Sequence, residues 1–181
     1  YRTLLVAPDG IRRGLIERIA AQASRARSGE PSRIRLKLNS LVDEKVIDAL
    51  YDASTAGVRV ECVVRGMCAL RPGVEGLSDN VTVRSVLGRF LEHSRVFGFG
   101  PAGDEELWIG SADVMHRNLD RRVEALVRIA DAAAAAQLSS VLDRLTADDV
   151  LAWELGADGT WRRSAGPVDV QAELAAQAGQ G

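Results

Sequence analysis

Apolar residues at Ile11, Leu15, Ile16 and Ile19 recur with helical spacing up to the Ser28-Gly29 break, and a short apolar run, Thr3 to Ala7, precedes them. The period then changes. Ile34, Leu36 and Leu38 alternate with Arg33, Arg35 and Lys37, which predicts a strand with one apolar and one polar face. Asn39-Ser40 ends that strand, and Val42, Val46, Ile47 and Leu50 mark a second helix, Val42 to Ala56, stopped at Gly57. Val58 to Val64 is rich in β-branched residues and reads as a third strand. The order strand, helix, strand, helix, strand predicts a parallel sheet with helical crossovers.

No period fits Gly66 to Asn80, so a long loop is expected after the third strand, and loops of that length are functional or disordered. Val81 to Val86 alternates again. His93 to Phe99 and Glu106 to Ile109 flank the turn residues Gly100-Pro101-Ala102-Gly103-Asp104 and predict an antiparallel hairpin. Val123 to Ile129 is a last strand, and Asp131 to Leu145 returns to helical spacing. The predicted class is therefore α/β, a mixed sheet flanked by helices. Trp153 to Arg163 reads as a small hairpin and Val168 to Ala178 as a terminal helix. The expected organisation is a domain over residues 1–150 with an appendage over 151–181, frayed from Gln177 to Gly181.

Composition adds exclusions. The 181 residues, 46% hydrophobic and 27% charged, suffice for one sizeable core. No apolar run approaches the roughly 20 residues that span a bilayer as a helix. Cys62 and Cys68 give neither a disulfide framework nor a zinc cluster, which fits a reducing cytoplasm. An opening at Tyr1, without an initiator Met or the regions of a signal peptide, is expected of a piece of a longer protein. The net charge of −2 argues against a nucleic-acid binder built on bulk positive charge.

Of 23 basic residues only Lys37 and Lys45 are lysines. GC-rich coding accounts for such a bias as readily as function does, so the positions of the arginines decide. Between Arg65 and Arg122 they stand at 65, 71, 84, 89, 95, 117, 121 and 122, and a guanidinium makes paired, charge-assisted hydrogen bonds to phosphate. Of the two histidines, His116 lies in a polar stretch and reads as an ordinary surface residue. His93, in Glu92-His93-Ser94-Arg95 at the start of an expected strand, shares a face with Arg95 by alternation. An imidazole beside a guanidinium can meet a phosphoryl group. The hairpin folds Gly110-Ser111-Ala112-Asp113 back toward them.

A His-x-basic segment followed by a Gly-Ser turn resembles the half-site of the phospholipase D superfamily, His-x-Lys followed by Gly-Ser-x-Asn. Arg95 stands for the lysine, Asp113 for the asparagine, and the acidic residue that follows the basic one in that pattern is absent. A longer ordered string makes the resemblance specific: Leu38-Asn39-Ser40-Leu41-Val42-Asp43, Val64-Arg65-Gly66-Met67-Cys68, Leu70-Arg71-Pro72-Gly73-Val74, Gly88 to Arg95, Gly110 to Asp113, and Arg117 to Glu124. Over about Leu4 to Ile129 the chain resembles the last, phospholipase D-like domain of the long-form bacterial polyphosphate kinases. Val114 and His116 stand where that family usually has Trp and Pro, and Gly98 where an aromatic is common.

The resemblance implies a reversible transfer of the terminal phosphate of ATP to polyphosphate through a phosphohistidine. It matches Arg65 and His93 to residues that contact the ATP phosphates, and places the phosphorylated histidine and the magnesium-associated arginines in a preceding domain. His93 is then the expected catalytic residue, and Arg65, His93 and Arg95 the expected phosphate ligands. Arg89, Arg117, Arg121 and Arg122 are weaker candidates, and any of these or Arg95 is equally open to an ion pair with Asp113, Asp120 or Glu124 instead. Mg2+ is expected in the full-length enzyme with its ligands outside this chain, so no metal ligand is expected here. The expected partners are ATP or ADP, polyphosphate, upstream domains of the parent chain and further copies in a homo-oligomer. Two other readings stand: a phosphodiesterase that needs a dimer to supply its second half-site, and a non-catalytic module that binds polyphosphate or nucleotide.

Overall fold

The computed structural model describes residues 3–178. Its first elements are β1 (Leu4–Val6), α1 (Ile11–Arg27), β2 (Arg33–Leu38), α2 (Glu44–Thr55), β3 (Arg59–Val64) and β4 (Val81–Ser85). There follow β5 (Val96–Phe99), β6 (Glu106–Gly110), a π-helical turn at Arg117–Arg121, β7 (Ala125–Arg128) and α3 (Ala132–Thr146). The hairpin β8 (Trp153–Leu155) and β9 (Trp161–Arg163) precedes α4 (Val170–Ala178). Of the expected frayed end, Gln177 and Ala178 belong to α4, and residues 179–181 lie outside the described residues.

The strands make one nine-stranded mixed sheet in the order β1-β7-β6-β5-β2-β3-β4-β8-β9. β2, β3 and β4 pair in parallel, and all other pairings are antiparallel. The expected run of parallel neighbours holds for β2 onward. It fails for β1, which lies at the far edge against β7, because the β5–β6 hairpin and β7 fill the space between. β8 pairs with β4, so the C-terminal hairpin continues the sheet across residue 150.

Helices cover both faces. Ile34, Leu36 and Leu38 of β2, with Val60, Cys62 and Val64 of β3, face α1 and α2 in the main core. Asp43 opens α2 by accepting the Val46 N–H at 3.2 Å, and Asp131 opens α3 by accepting that of Ala134 at 2.8 Å. α3 and α4 close the other face through two smaller clusters, one around Val63, Leu145 and Val170 and one around Val96, Leu107 and Leu142. The polar side of β2 is consequently not a solvent face. Arg35 and Lys37 are 1% and 2% exposed, and each is neutralised where it lies. Arg35 Nε donates to Glu105 at 2.8 Å and its Nη1 to Asp143 at 2.6 Å. Glu105 reaches Arg35 across Gly98, where a Cβ would stand 2.3 Å from its Oε1, so an aromatic side chain has no room there.

Candidate functional site

The C-terminal ends of parallel β2 and β3 lie at the same sheet edge as the start of antiparallel β5, the end of β6 and the start of β7. Asn39, Arg65, the segment Glu92–Arg95, Ser111–Asp113 and Glu124 therefore gather along one rim. Open α/β sheets bind ligands at this rim, because the chain leaves the strands there and is free to form loops.

β5 begins at Val96, not at His93. Strand alternation therefore does not bring His93 and Arg95 together, and that expectation is corrected. A hydrogen-bonded loop does so instead: Arg95 Nη1 lies 3.2 Å from His93 Nδ1 and donates to the His93 carbonyl at 3.0 Å. A guanidinium has donors only, so Nδ1 accepts and the ring proton resides on Nε2. Arg95 Nη2 donates to Asp113 at 2.8 Å. The Asn39 amide completes the set with its oxygen toward Arg95, accepting from Nε at 2.8 Å and Nη2 at 2.9 Å, and its nitrogen donating to the Glu92 carbonyl at 2.7 Å. With its donors so occupied, Arg95 supports His93 and is not an open fork for an anion.

Burial alone would raise the pKa of Asp113, but hydrogen bonds from Arg95 and from the Asn39 and Ser40 N–H groups, at 2.7 and 3.1 Å, outweigh it and hold the carboxyl below its ordinary value. Arg95 and Asp113, which stand for the lysine and the asparagine of the His-x-Lys and Gly-Ser-x-Asn pattern, are thus the two ends of one ion pair. Gly110 N–H donates to the Arg95 carbonyl at 3.4 Å, so the Gly-Ser turn does return to the His93 end. Ser111 donates to Glu124, and Asn118 donates to the same carboxylate at 2.6 Å.

Arg65 leaves the end of β3 and donates through Nη1 to the Glu92 carbonyl at 2.9 Å, which sets it one residue from His93. Its Nε and Nη2 have no partner among the described residues. Beneath the segment, Lys37 Nζ lies 3.1 Å from Glu92 Oε2 and donates to the Ser94 carbonyl at 3.1 Å. Burial pushes the Lys37 ammonium pKa down, Glu92 opposes that, and nearby Arg65 and Arg95 push it further down. Sequence reasoning missed Lys37, because a lysine on the polar side of an alternating strand reads as exposed.

The weaker candidates make no bond to this set among the described residues. Arg117, Arg121 and Arg122, on and just after the π-helical turn, are exposed and form no ion pair among the described residues. They do not hold Asp120 or Glu124. Arg89 sits over the Phe90 ring at 5.8 Å, at the rim of a pocket of about 350 Å³ that also borders Arg65 and Glu92. The Gly66–Asn80 loop is ordered about buried Ser78, and Arg71 reaches the Ala157 carbonyl at 3.1 Å, away from His93.

His116 is held by carboxylates, with Nε2 2.7 Å from Glu44 and Nδ1 3.1 Å from Asp120, which raises its pKa. Both of its ring nitrogens are taken by carboxylates, so neither faces a phosphate. Asp43, Glu44 and His116 bring ligand-type atoms within 4.8 Å of one another. However, Arg12 bonds Asp43 at 2.8 Å, and Asp43 also caps α2. Around His93 the carboxylates of Glu92 and Asp113 are already bound by Lys37 and Arg95, so these residues do not offer a magnesium cradle. Both cysteines are free, and burial pushes the Cys68 thiol up to about 11.

A mixed sheet with a His-x-basic segment and a Gly-Ser turn on one rim defines a phospholipase D-like α/β domain. Nuc from Salmonella typhimurium, a phospholipase D family member, shares the fold at TM-score 0.56 and 18% identity, over 88% of this chain and 95% of that one. The family model described as Polyphosphate kinase C-terminal domain 2 matches residues 4–177, and the chain belongs to that family. The chain is 58% identical over 171 residues to a polyphosphate kinase of Streptomyces coelicolor, covering 94% of this chain and 23% of that one. It is 60% identical over 161 residues to one of Mycolicibacterium gilvum, covering 89% and 22%. Polyphosphate kinase from Porphyromonas gingivalis superposes at TM-score 0.91 with 31% identity, over 98% of this chain and 28% of that one. The chain thus spans under a quarter of the length of these two curated relatives. No helix among the described residues is long and apolar enough to cross a membrane.

Proposed function

We propose that this chain forms one wall of the phosphoryl-transfer site of a cytoplasmic polyphosphate kinase, which moves the terminal phosphate of ATP reversibly onto polyphosphate. Phosphoryl transfer depends on positioning and on neutralising charge spread over phosphate oxygens, so a wall of donors is a sufficient contribution. Arg65 supplies two unpartnered guanidinium nitrogens for a paired contact with a phosphate. His93 supplies Nε2–H, its ring held from behind by Arg95. Lys37, paired with Glu92, holds the segment that carries His93 from beneath. Arg89, Arg117, Arg121 and Arg122 draw the polyanion toward the rim without fixing it.

In this reading the phosphorylated histidine and the groups that hold Mg2+ come from a preceding domain, and further copies of the whole protein assemble as a homo-oligomer. The metal would offset phosphate charge from that side. The residues described here bind and orient the phosphates.

The observation that carries the reading is the pairing of a partly free Arg65 guanidinium with a His93 ring whose Nε2 is left open. Losing one charge-assisted contact costs about 1.5–3 kcal/mol. Arg65→Ala in the full-length protein should therefore lower kcat/KM by roughly ten- to a hundredfold, and His93→Ala by at least a comparable factor. Steady-state kinetics of both variants, with folding checked by circular dichroism, test this. Near wild-type kinetics in both would remove the assignment.

A further inference from the structure

The segment that carries His93 has little apolar anchorage of its own. Leu87, Phe90 and Leu91 are 56%, 54% and 75% exposed, and no strand begins until Val96. Segments with few buried apolar contacts open easily unless something else holds them. Here the holder comes from the far C-terminus. Gln171, near the start of α4, is 4% exposed and directs its amide at this loop. Phe90 N–H donates to Gln171 Oε1 at 2.7 Å, and Gln171 Nε2 donates to the Phe90 carbonyl at 2.9 Å. One side-chain amide thus satisfies both backbone groups of one residue, as a neighbouring strand would.

Gln171 Nε2 also lies 3.2 Å from Glu92 Oε1, and the other Glu92 oxygen meets Lys37. The Glu92 carbonyl meets Arg65. Glu92 is therefore fixed by α4, β2 and the end of β3 together, immediately before His93. The fit extends to Gly88, where a Cβ would stand 2.5 Å from Gln171 Oε1 and 2.9 Å from its Cδ. α4 is itself anchored, by buried Val170 packed with Leu145 and by Glu173 2.7 Å from Arg144.

We propose that Gln171 is a positioning residue for the nucleotide site: its amide clamps the 88–92 loop and so sets where His93 and the Arg65-bound Glu92 carbonyl stand. This rests on the phosphate-site reading above and gives the C-terminal helix a part in it. A loosened loop populates the binding-competent arrangement for a smaller fraction of the time, and apparent affinity falls by that fraction while the chemistry of the competent form is unchanged.

Gln171→Met keeps length and volume but removes both hydrogen-bonding senses. In the full-length protein it should speed amide hydrogen exchange at Phe90 and raise the KM for ATP roughly five- to tenfold, with kcat within about twofold of wild type. Gly88→Ala displaces the same amide from the loop side and should reproduce the pattern, which protects the test if one variant folds poorly. Unchanged exchange at Phe90 in both folded variants would overturn the clamp. Faster exchange with unaltered KM would overturn its positioning role. If Arg65→Ala and His93→Ala leave kinetics intact, the phosphate site fails and the positioning role with it, while the exchange result still identifies the clamp.

Discussion

Arg95 and Asp113 illustrate how a residue's partner decides its role. Arg95 has the charge to bind phosphate, yet it faces a carboxylate 8% exposed that would otherwise be buried and unpaired. Removing one member of such a pair leaves the other charge without compensation. Arg95→Ala should cost about 3 kcal/mol in urea denaturation, and adding Asp113→Asn should recover part of it, because an amide still accepts from Asn39 and Ser40 without carrying charge. The pH dependence has a definite sign. The folded-state pKa of Asp113 is depressed, so its contribution is present above its ordinary value of 3.8 and is lost as pH falls through the lowered one. Arg95→Ala lowers the stability from which acid unfolding starts, so unfolding should begin at higher pH than in the wild type. It also removes the strongest group holding the Asp113 pKa down, which should shrink the acid-dependent part that Asp113 contributes. Identical acid midpoints would show that the ion pair does not set it.

Elements whose partners lie close in sequence were legible from pattern alone. α1 spans Ile11–Arg27 and β2 spans Arg33–Leu38, as their periods predict. The strand expected from His93 was misread because Glu92-His93-Ser94-Arg95 alternates, whereas its backbone and side chains serve Arg65, Asn39 and Lys37. The turn at Arg117–Arg121 was missed because one π-helical turn has no period to read. That turn is tied to two helices: Arg12 of α1 bonds Asp120 at 2.5 Å, and His116 bridges to Glu44 of α2. Asp120 and Glu44 raise the His116 pKa above 6.5, so the bridge contributes fully below that value and is lost as pH rises through the raised one. An NMR titration of the imidazole should place its midpoint above 6.5, and Glu44→Gln should move it down. A midpoint at or below 6.5 would mean that the bridge does not form in solution.

For the whole molecule, the sheet order was less legible than its elements. β1 pairing with β7, and β8 with β4, depend on what fills the space between them and on packing from distant segments. His93 was singled out by its place beside Arg95, its match and that of Arg65 to phosphate contacts came from family resemblance, and Lys37, Glu92 and Gln171 emerge only through three-dimensional contact, since no sequence spacing links residues 37, 92 and 171. If the wall is half of a phosphoryl-transfer site, the 181-residue chain alone should make no polyphosphate from ATP and Mg2+ and should carry no stable phosphohistidine. A stable label on His93 would instead make it a nucleophile. The most direct test is a crystal structure of the full-length protein with a non-hydrolysable ATP analogue. The terminal phosphate oxygens should lie about 3 Å from the Arg65 guanidinium and from His93 Nε2. A phosphate chain held by Arg117, Arg121 and Arg122, with Arg65 and His93 out of reach, would contradict the account.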